Sequence, residues 1–344
     1  MTKPLALLTL VVLGLAGCTT PREPVESRLK PIRTYGWPAS VVDPAPDWNP
    51  ASHHLVARSM GGFSVFEDGG PGERRYAADD RRDCHQPRWL NREQFVFGPG
   101  WNARRAADGS VSTPSDGITL VTLTDLKPTA KVQLCDRGFM PRPSTGVLVA
   151  QDGNKIIIID ARGRISDFGE GFDPEPQPDG PGLCWRDTPA FETDWWTGRE
   201  GPGNMHVRWR SSLVDDLPMG MQAAWTRDGG VLATVLTAAA PAGKPWWAGG
   251  SSIVHLTGPG ATPVIVRKNA RDPAAHPFAD LLAWTGEDGG VWIGTLRPDG
   301  WSDRLADAGS RPRWSHDGLR LCWLETPPSG SQIPAIKVAV LAVK

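Results

Sequence analysis

Beyond its first seventeen residues the chain alternates short apolar runs with clusters of glycine, proline, aspartate and asparagine, and it holds no long apolar pattern at helical spacing. Runs such as Ile156–Ile159, Val231–Leu236 and Leu319–Leu324 have the length of strands and are bounded by Asp-Gly or Pro-x-Trp strings. The pattern predicts an all-β chain of short strands joined by tight turns.

The strands recur. "RPRWSHDGLRLCWLE" (Arg311 to Glu325) meets "PEPQPDGPGLCWRDT" 138 residues earlier, with Asp317-Gly318 on Asp179-Gly180 and Leu321-Cys322-Trp323 on Leu183-Cys184-Trp185. It also meets "AAWTRDGGVLATVLT", with Trp314 on Trp225 and Asp317-Gly318 on Asp228-Gly229. Weaker copies start at Pro46, Pro87, Pro141 and Pro273. The starts at 46, 87, 141, 174, 223, 273 and 312 give a mean spacing of about 44 residues, the length of a four-stranded propeller blade. Pro-x-Trp begins an inner strand, x-Asp-Gly turns the chain, and an apolar second strand follows; "KIIIID" and "GRISDFG" are the third and fourth strands of the third copy.

The expected fold is therefore a β-propeller of seven four-stranded blades, or six if one weak copy is a long loop. The last copy runs out of sequence before a fourth strand, and "KPIRTYGW" (Lys30 to Trp37) can supply it from the other end of the chain, closing the ring without an open edge. The string Pro312-Arg313-Trp314-Ser315-His316-Asp317-Gly318 resembles the repeat of TolB-like, WD40-like propellers; Trp225 to Gly229 and Pro178 to Gly180 match it less fully. The resemblance implies the architecture and leaves function open.

The start of the chain sets a compartment. Lys3 precedes an apolar run from Leu5 to Leu15 that ends Leu15-Ala16-Gly17-Cys18, too short to span a bilayer as a mature helix. This resembles a bacterial lipoprotein signal with its lipobox, which implies cleavage before Cys18 and acylation of that residue. Thr19 in the next position implies the periplasmic face of the outer membrane. Residues 1–17 are thus read as signal peptide, 18–30 as a lipidated cysteine with a flexible tether rich in proline and charge, and 31–344 as a single propeller domain. The 37 basic and 38 acidic residues balance and no basic run occurs, so no nucleic-acid partner is expected.

Candidate chemistry is sparse. In an oxidising compartment Cys84 and Cys135, which precede consecutive copies, are candidates for a bridge between neighbouring blades; Cys184 and Cys322 occupy one repeat position three blades apart and read as small buried apolar residues. The seven histidines show no metal-ligand spacing, and Ser315-His316-Asp317 is no triad, because adjacent residues cannot present themselves to one another in the required geometry. No metal and no cofactor are expected. Most aspartates stand in turns, which accounts for them without catalysis.

The repeat is broken in three places, each between a second and a third strand: Gly98 to Gly117, Pro189 to Asn204 and Ala238 to Ser252. Loops of one type leave a propeller on one face, so the three should share a rim. They carry Trp101, Trp195, Trp196, Trp246 and Trp247 with Arg104 and Arg199 nearby, an aromatic and basic composition suited to binding; the same tryptophans also suit packing against the blades. The expected function is a non-catalytic binding or assembly module, held to the membrane by its lipid anchor, for a periplasmic or outer-membrane protein or a cell-wall glycan. The rival expectation is a glycoside hydrolase or lactonase with a polar site at the central channel.

Overall fold

A computed structural model describes residues 28–343, apart from 42, 61, 68–72, 78–83, 100–103, 106–110, 113–117, 127, 133–136, 143–146, 153–154, 161, 163, 188–202, 211–212, 239, 242–243, 245 and 328–330. It contains seven antiparallel four-stranded sheets. Their innermost strands are Asp47–Trp48, Cys84–Trp89, Arg137–Arg142, Phe172–Pro176, Gly220–Trp225, Ala270–Ala275 and Ser310–Trp314, here taken as the first strands of blades 1 to 7. The count of seven stands, and each repeat start falls on or beside one of these strands.

Blade 7 takes three strands from the end of the chain and its outermost strand, Leu29–Pro38, from the beginning. That strand pairs with Ala335–Val343 from Leu29↔Val343 to Pro38↔Ala335, so the ring is closed by main-chain hydrogen bonds. It begins at Leu29, which brings the last two residues of the supposed tether into the propeller. Lys30 adds an ion pair to Asp303 of blade 6 at 2.6 Å.

Both faces of a blade are covered by neighbours, so most middle strands, such as Val231–Leu236 and Leu281–Gly286, are buried along their length where an exposed sheet would alternate; Asn204–Arg208 of blade 4 keeps the alternation. Apolar clusters fill the interfaces around the ring. Phe63, Phe95 and Ile157 join blades 1 to 3; Met205, Trp209 and Val231 join 4 and 5; Trp48, Leu55, Cys322 and Val338 join 7 and 1. Cys184 and Cys322 are free thiols buried in these layers, in agreement with the sequence reading.

The first strands share an irregularity the sequence did not announce. The ladder slips between Phe172 and Glu175, Met221 and Ala223, Arg271 and Ala274, and Ser310 and Arg313. At the slip stands a non-glycine residue with positive φ: Asp173 (51°), Gln222 (47°), Asp272 (52°) and Arg311 (54°), with Ala45 (42°) in the same place in blade 1. In blade 3 the slip falls between Arg137 and Phe139. That puts Met140 opposite Val149 and Pro141 in the place Trp314 takes in blade 7, so the third repeat starts two residues before the Pro141 expected from sequence.

Candidate functional site: the channel mouth and its rim

The repeat's Pro-x-Trp string fastens one blade to the next. Trp48, Trp89, Trp225 and Trp314 are buried, and each indole N–H donates to the carbonyl of the x residue in the preceding blade. The acceptors are Arg313, Asp47, Glu175 and Ala274, at 3.1, 3.1, 3.0 and 3.1 Å. A buried indole N–H needs an acceptor, and here the need is met across a blade interface. This accounts for four of the sixteen tryptophans without any ligand.

Four of the x residues are charged: Asp47, Arg88, Glu175 and Arg313. Blade 4 stands across the ring from blades 7 and 1, so the fields that Arg313 and Asp47 exert on Glu175 run through the channel. Burial pushes the Glu175 carboxyl up to about 7, against the opposing pull of Arg313 and Arg88. Burial likewise lowers Arg88 to about 10, with Arg313 adding to the effect. Asp47 accepts the Trp89 backbone N–H at 2.9 Å and lies 4.0 Å from Arg313. Behind this ring, burial raises Cys322 to about 12 and Cys184 well above the thiol range, which keeps both protonated and unreactive.

Above the ring lies a second polar layer built on the bulges. A bulge turns its residue's N–H out of the ladder, and a side chain from the preceding blade receives it. Gln151 Oε1 accepts from Asp173 N at 3.0 Å, Gln222 Oε1 from Asp272 N at 3.0 Å, and Asp272 Oδ2 from Arg311 N at 3.3 Å. The layer is knit further by Gln222 Nε2 to Asp272 Oδ1 (2.5 Å), Thr234 Oγ1 to Gln222 Oε1 (2.9 Å), Thr285 Oγ1 to Asp272 Oδ2 (2.8 Å) and Arg311 Nη1 to Asp43 Oδ1 (2.6 Å). The polar groups at this mouth hold a strained backbone in place.

The bulges sit where each first strand pairs with the end of its second strand, as Gly220↔Val235 and Ser310↔Leu324 show. The connections from second to third strands leave from that same end. All three long insertions are of this type: they are rooted between Pro99 and Ile118, Arg186 and Asn204, and Leu236 and Ser251. Their roots therefore surround the mouth on what we term the insertion face. Within the first, Arg104–Arg105 pairs with Val111–Ser112.

Of the residues singled out in sequence, Trp246 and Trp247 open a 3₁₀ turn, Trp246–Gly249. Trp247 is half-buried, packs on Met221 and Leu236, and lies under the Arg271 guanidinium at 4.7 Å. It anchors its insertion to the channel rim through the neighbour of Asp272. Arg104 is placed by its backbone in the small hairpin and Cys84 by its backbone in the first strand of blade 2. Cys18, Trp101, Cys135, Trp195, Trp196 and Arg199 lie outside the described residues, and with them the supposed Cys84–Cys135 bridge.

The opposite face, here the turn face, carries the Asp-Gly turns. Asp317 accepts from Ser315 Oγ at 2.5 Å and from Leu319 N at 3.0 Å, and meets His53 of blade 1 at 2.6 Å; Asp228 is held in the same way by Thr226. Ser315-His316-Asp317 is a turn. His276 reaches the Gly318 carbonyl at 3.1 Å and Arg227 the Asp280 carboxylate at 3.1 Å, so these turns also lock blade to blade. No group of three His, Cys, Asp or Glu able to hold a metal occurs among the described residues.

No family model and no curated protein sequence matches this chain. Solved structures do. A streptogramin B lyase aligns over 90% of this chain and 97% of its own, with a TM-score of 0.53 at 13% identity. A chain of a mitotic checkpoint complex aligns over 97% of this chain and 99% of its own, with a TM-score of 0.58 at 13% identity. At such identity the likeness speaks for the fold, and together with the blade count it defines the class: a seven-bladed, WD40-like β-propeller.

Proposed function

We propose that this chain is a lipid-anchored propeller whose insertion face binds an envelope protein or a cell-wall glycan. One observation carries the reading: every long departure from the repeat is rooted on one face, around the polar channel mouth, and loops raised on a rigid scaffold are where binding sites concentrate. TolB-like resemblance at Pro312 to Gly318, acylation of Cys18 and residence at the periplasmic face of the outer membrane complete the proposal. The likeness to a chain of a mitotic checkpoint complex accords with a propeller that works through contact.

The hydrolase reading finds support in one group, the raised Glu175 at the channel. Glycoside hydrolysis asks for a second carboxylate acting with it. Asp47 is held by the Trp89 N–H and by Arg313, and Asp272 by Gln222, Thr285 and Arg311. Carboxylates used as fasteners are poor candidates for that second role, which favours binding.

The test replaces Trp195, Trp196 and Trp246 with Ala in the full chain and measures capture of envelope proteins by crosslinking and co-sedimentation with isolated cell-wall sacculi. Loss of capture with an unchanged melting temperature is expected; undiminished capture in both assays would count against the proposal.

A further inference from the structure

The large apolar side chains left exposed among the described residues are unevenly placed. Met60 and Ile333 lie on the insertion side. Phe278 (63% exposed) and Leu319 (51%) occupy the turns between first and second strands of blades 6 and 7. Ile165, Leu213, Val264 and Ile265 stand at or just before the start of fourth strands, which also begin at the turn face. Scattered exposed apolar residues need no explanation, but a face that gathers them does.

The chain's own beginning reaches the same face. Leu29 pairs with Val343 at the turn-face end of the third strand of blade 7, and Lys30 is tied there to Asp303 of blade 6. Cys18 lies eleven residues upstream of Leu29, and so few residues reach at most roughly 35–40 Å even when fully extended. An anchor at Cys18 would therefore hold the propeller near the bilayer with the turn face nearest to it.

We infer that the turn face of blades 3 to 7 rests on the lipid leaflet through these apolar side chains, with Phe278 and Leu319 inserted beside the tether, so that the insertion face points away from the membrane. This rests on the acylation of Cys18 proposed above. Tethering matters because a short linker raises the effective concentration of the face at the leaflet, so that weak contacts suffice to orient the domain. Basic and acidic residues are mixed on this face, Arg227 being paired with Asp280, so the contact would be apolar and would not depend on anionic headgroups.

The experiment places a photo-crosslinking phenylalanine at 278, at 319 and, on the insertion side, at 60 in the full-length chain, in cells labelled with radioactive phosphate and separately with radioactive palmitate. Phospholipid adducts at 278 and 319 several-fold above those at 60 are expected. Palmitate on the protein without such an excess overturns the inference alone, as does crosslinking of 278 and 319 to another protein in place of lipid. Absence of palmitate overturns both the inference and the anchor on which it rests.

Discussion

Replacing Trp89 tests whether the Pro-x-Trp string works as a fastener between blades. Its side chain is 1% exposed, its indole N–H meets the Asp47 carbonyl at 3.1 Å, and its ring meets Phe95 edge-on at 5.3 Å. Trp89→Phe keeps an aromatic ring in place but leaves the Asp47 carbonyl without its donor, a loss of about 1–3 kcal/mol. Trp89→Ala also empties the interface between blades 1 and 2, which for a large aromatic costs about 3–5 kcal/mol. Trp247, half-buried on the rim, should cost only about 1–2 kcal/mol on replacement by Ala. The differences are read as shifts in urea midpoint at constant slope. A Trp89→Phe variant within about 0.5 kcal/mol of the parent, or a Trp247→Ala variant as unstable as Trp89→Ala, would refute the fastener.

Other outcomes follow from the same geometry. Gln222→Ala orphans the strained Asp272 N–H and the Thr234 hydroxyl and should cost about 1–3 kcal/mol in urea unfolding; a neutral result would show that water serves the bulge as well. Glu175, raised from 4.5 to about 7 by burial, holds its proton more tightly folded than unfolded. Its contribution is therefore complete below about pH 4.5 and is lost as pH rises through about 7, by roughly 1–3 kcal/mol. Glu175→Gln should flatten that fall when urea midpoints are compared from pH 4.5 to 8, and an identical pH slope in both proteins would contradict the desolvation of this half-buried carboxyl. Cys18→Ser should abolish palmitate incorporation and release the protein from the membrane fraction; palmitate in that variant would place acylation elsewhere.

The propeller was legible because its repeat marks are physical necessities. Asp-Gly recurs where a carboxylate must receive turn N–H groups, as Asp317 does from Leu319, and Pro-x-Trp recurs where an indole must cross to the next blade. Leu29–Pro38 could be foreseen from a strand missing at the other end. The bulges are not legible in sequence, because one extra residue in a strand leaves no mark in the hydrophobic pattern. Pro141 stands in the Trp place and so mimics in sequence the Pro of its repeat. The relay from Gln222 to Asp272 was equally hidden: its partners lie 50 residues apart, and nothing in either residue type names the other. The roles of the tryptophans are only partly legible for a related reason. Those of the insertions suit both binding and packing in sequence, and Trp247 is spent partly on packing beneath Arg271, whereas four strand tryptophans fasten one blade to the next.

The central claim, that the insertion face is the binding face, is tested most directly by photo-crosslinking in intact cells from positions 196 and 246, with Asp179 on the turn face as control. Discrete adducts to one envelope protein or to cell-wall glycan from 196 and 246, absent from 179, are the predicted result. The same adducts from 179, with none from 196 or 246, would contradict it.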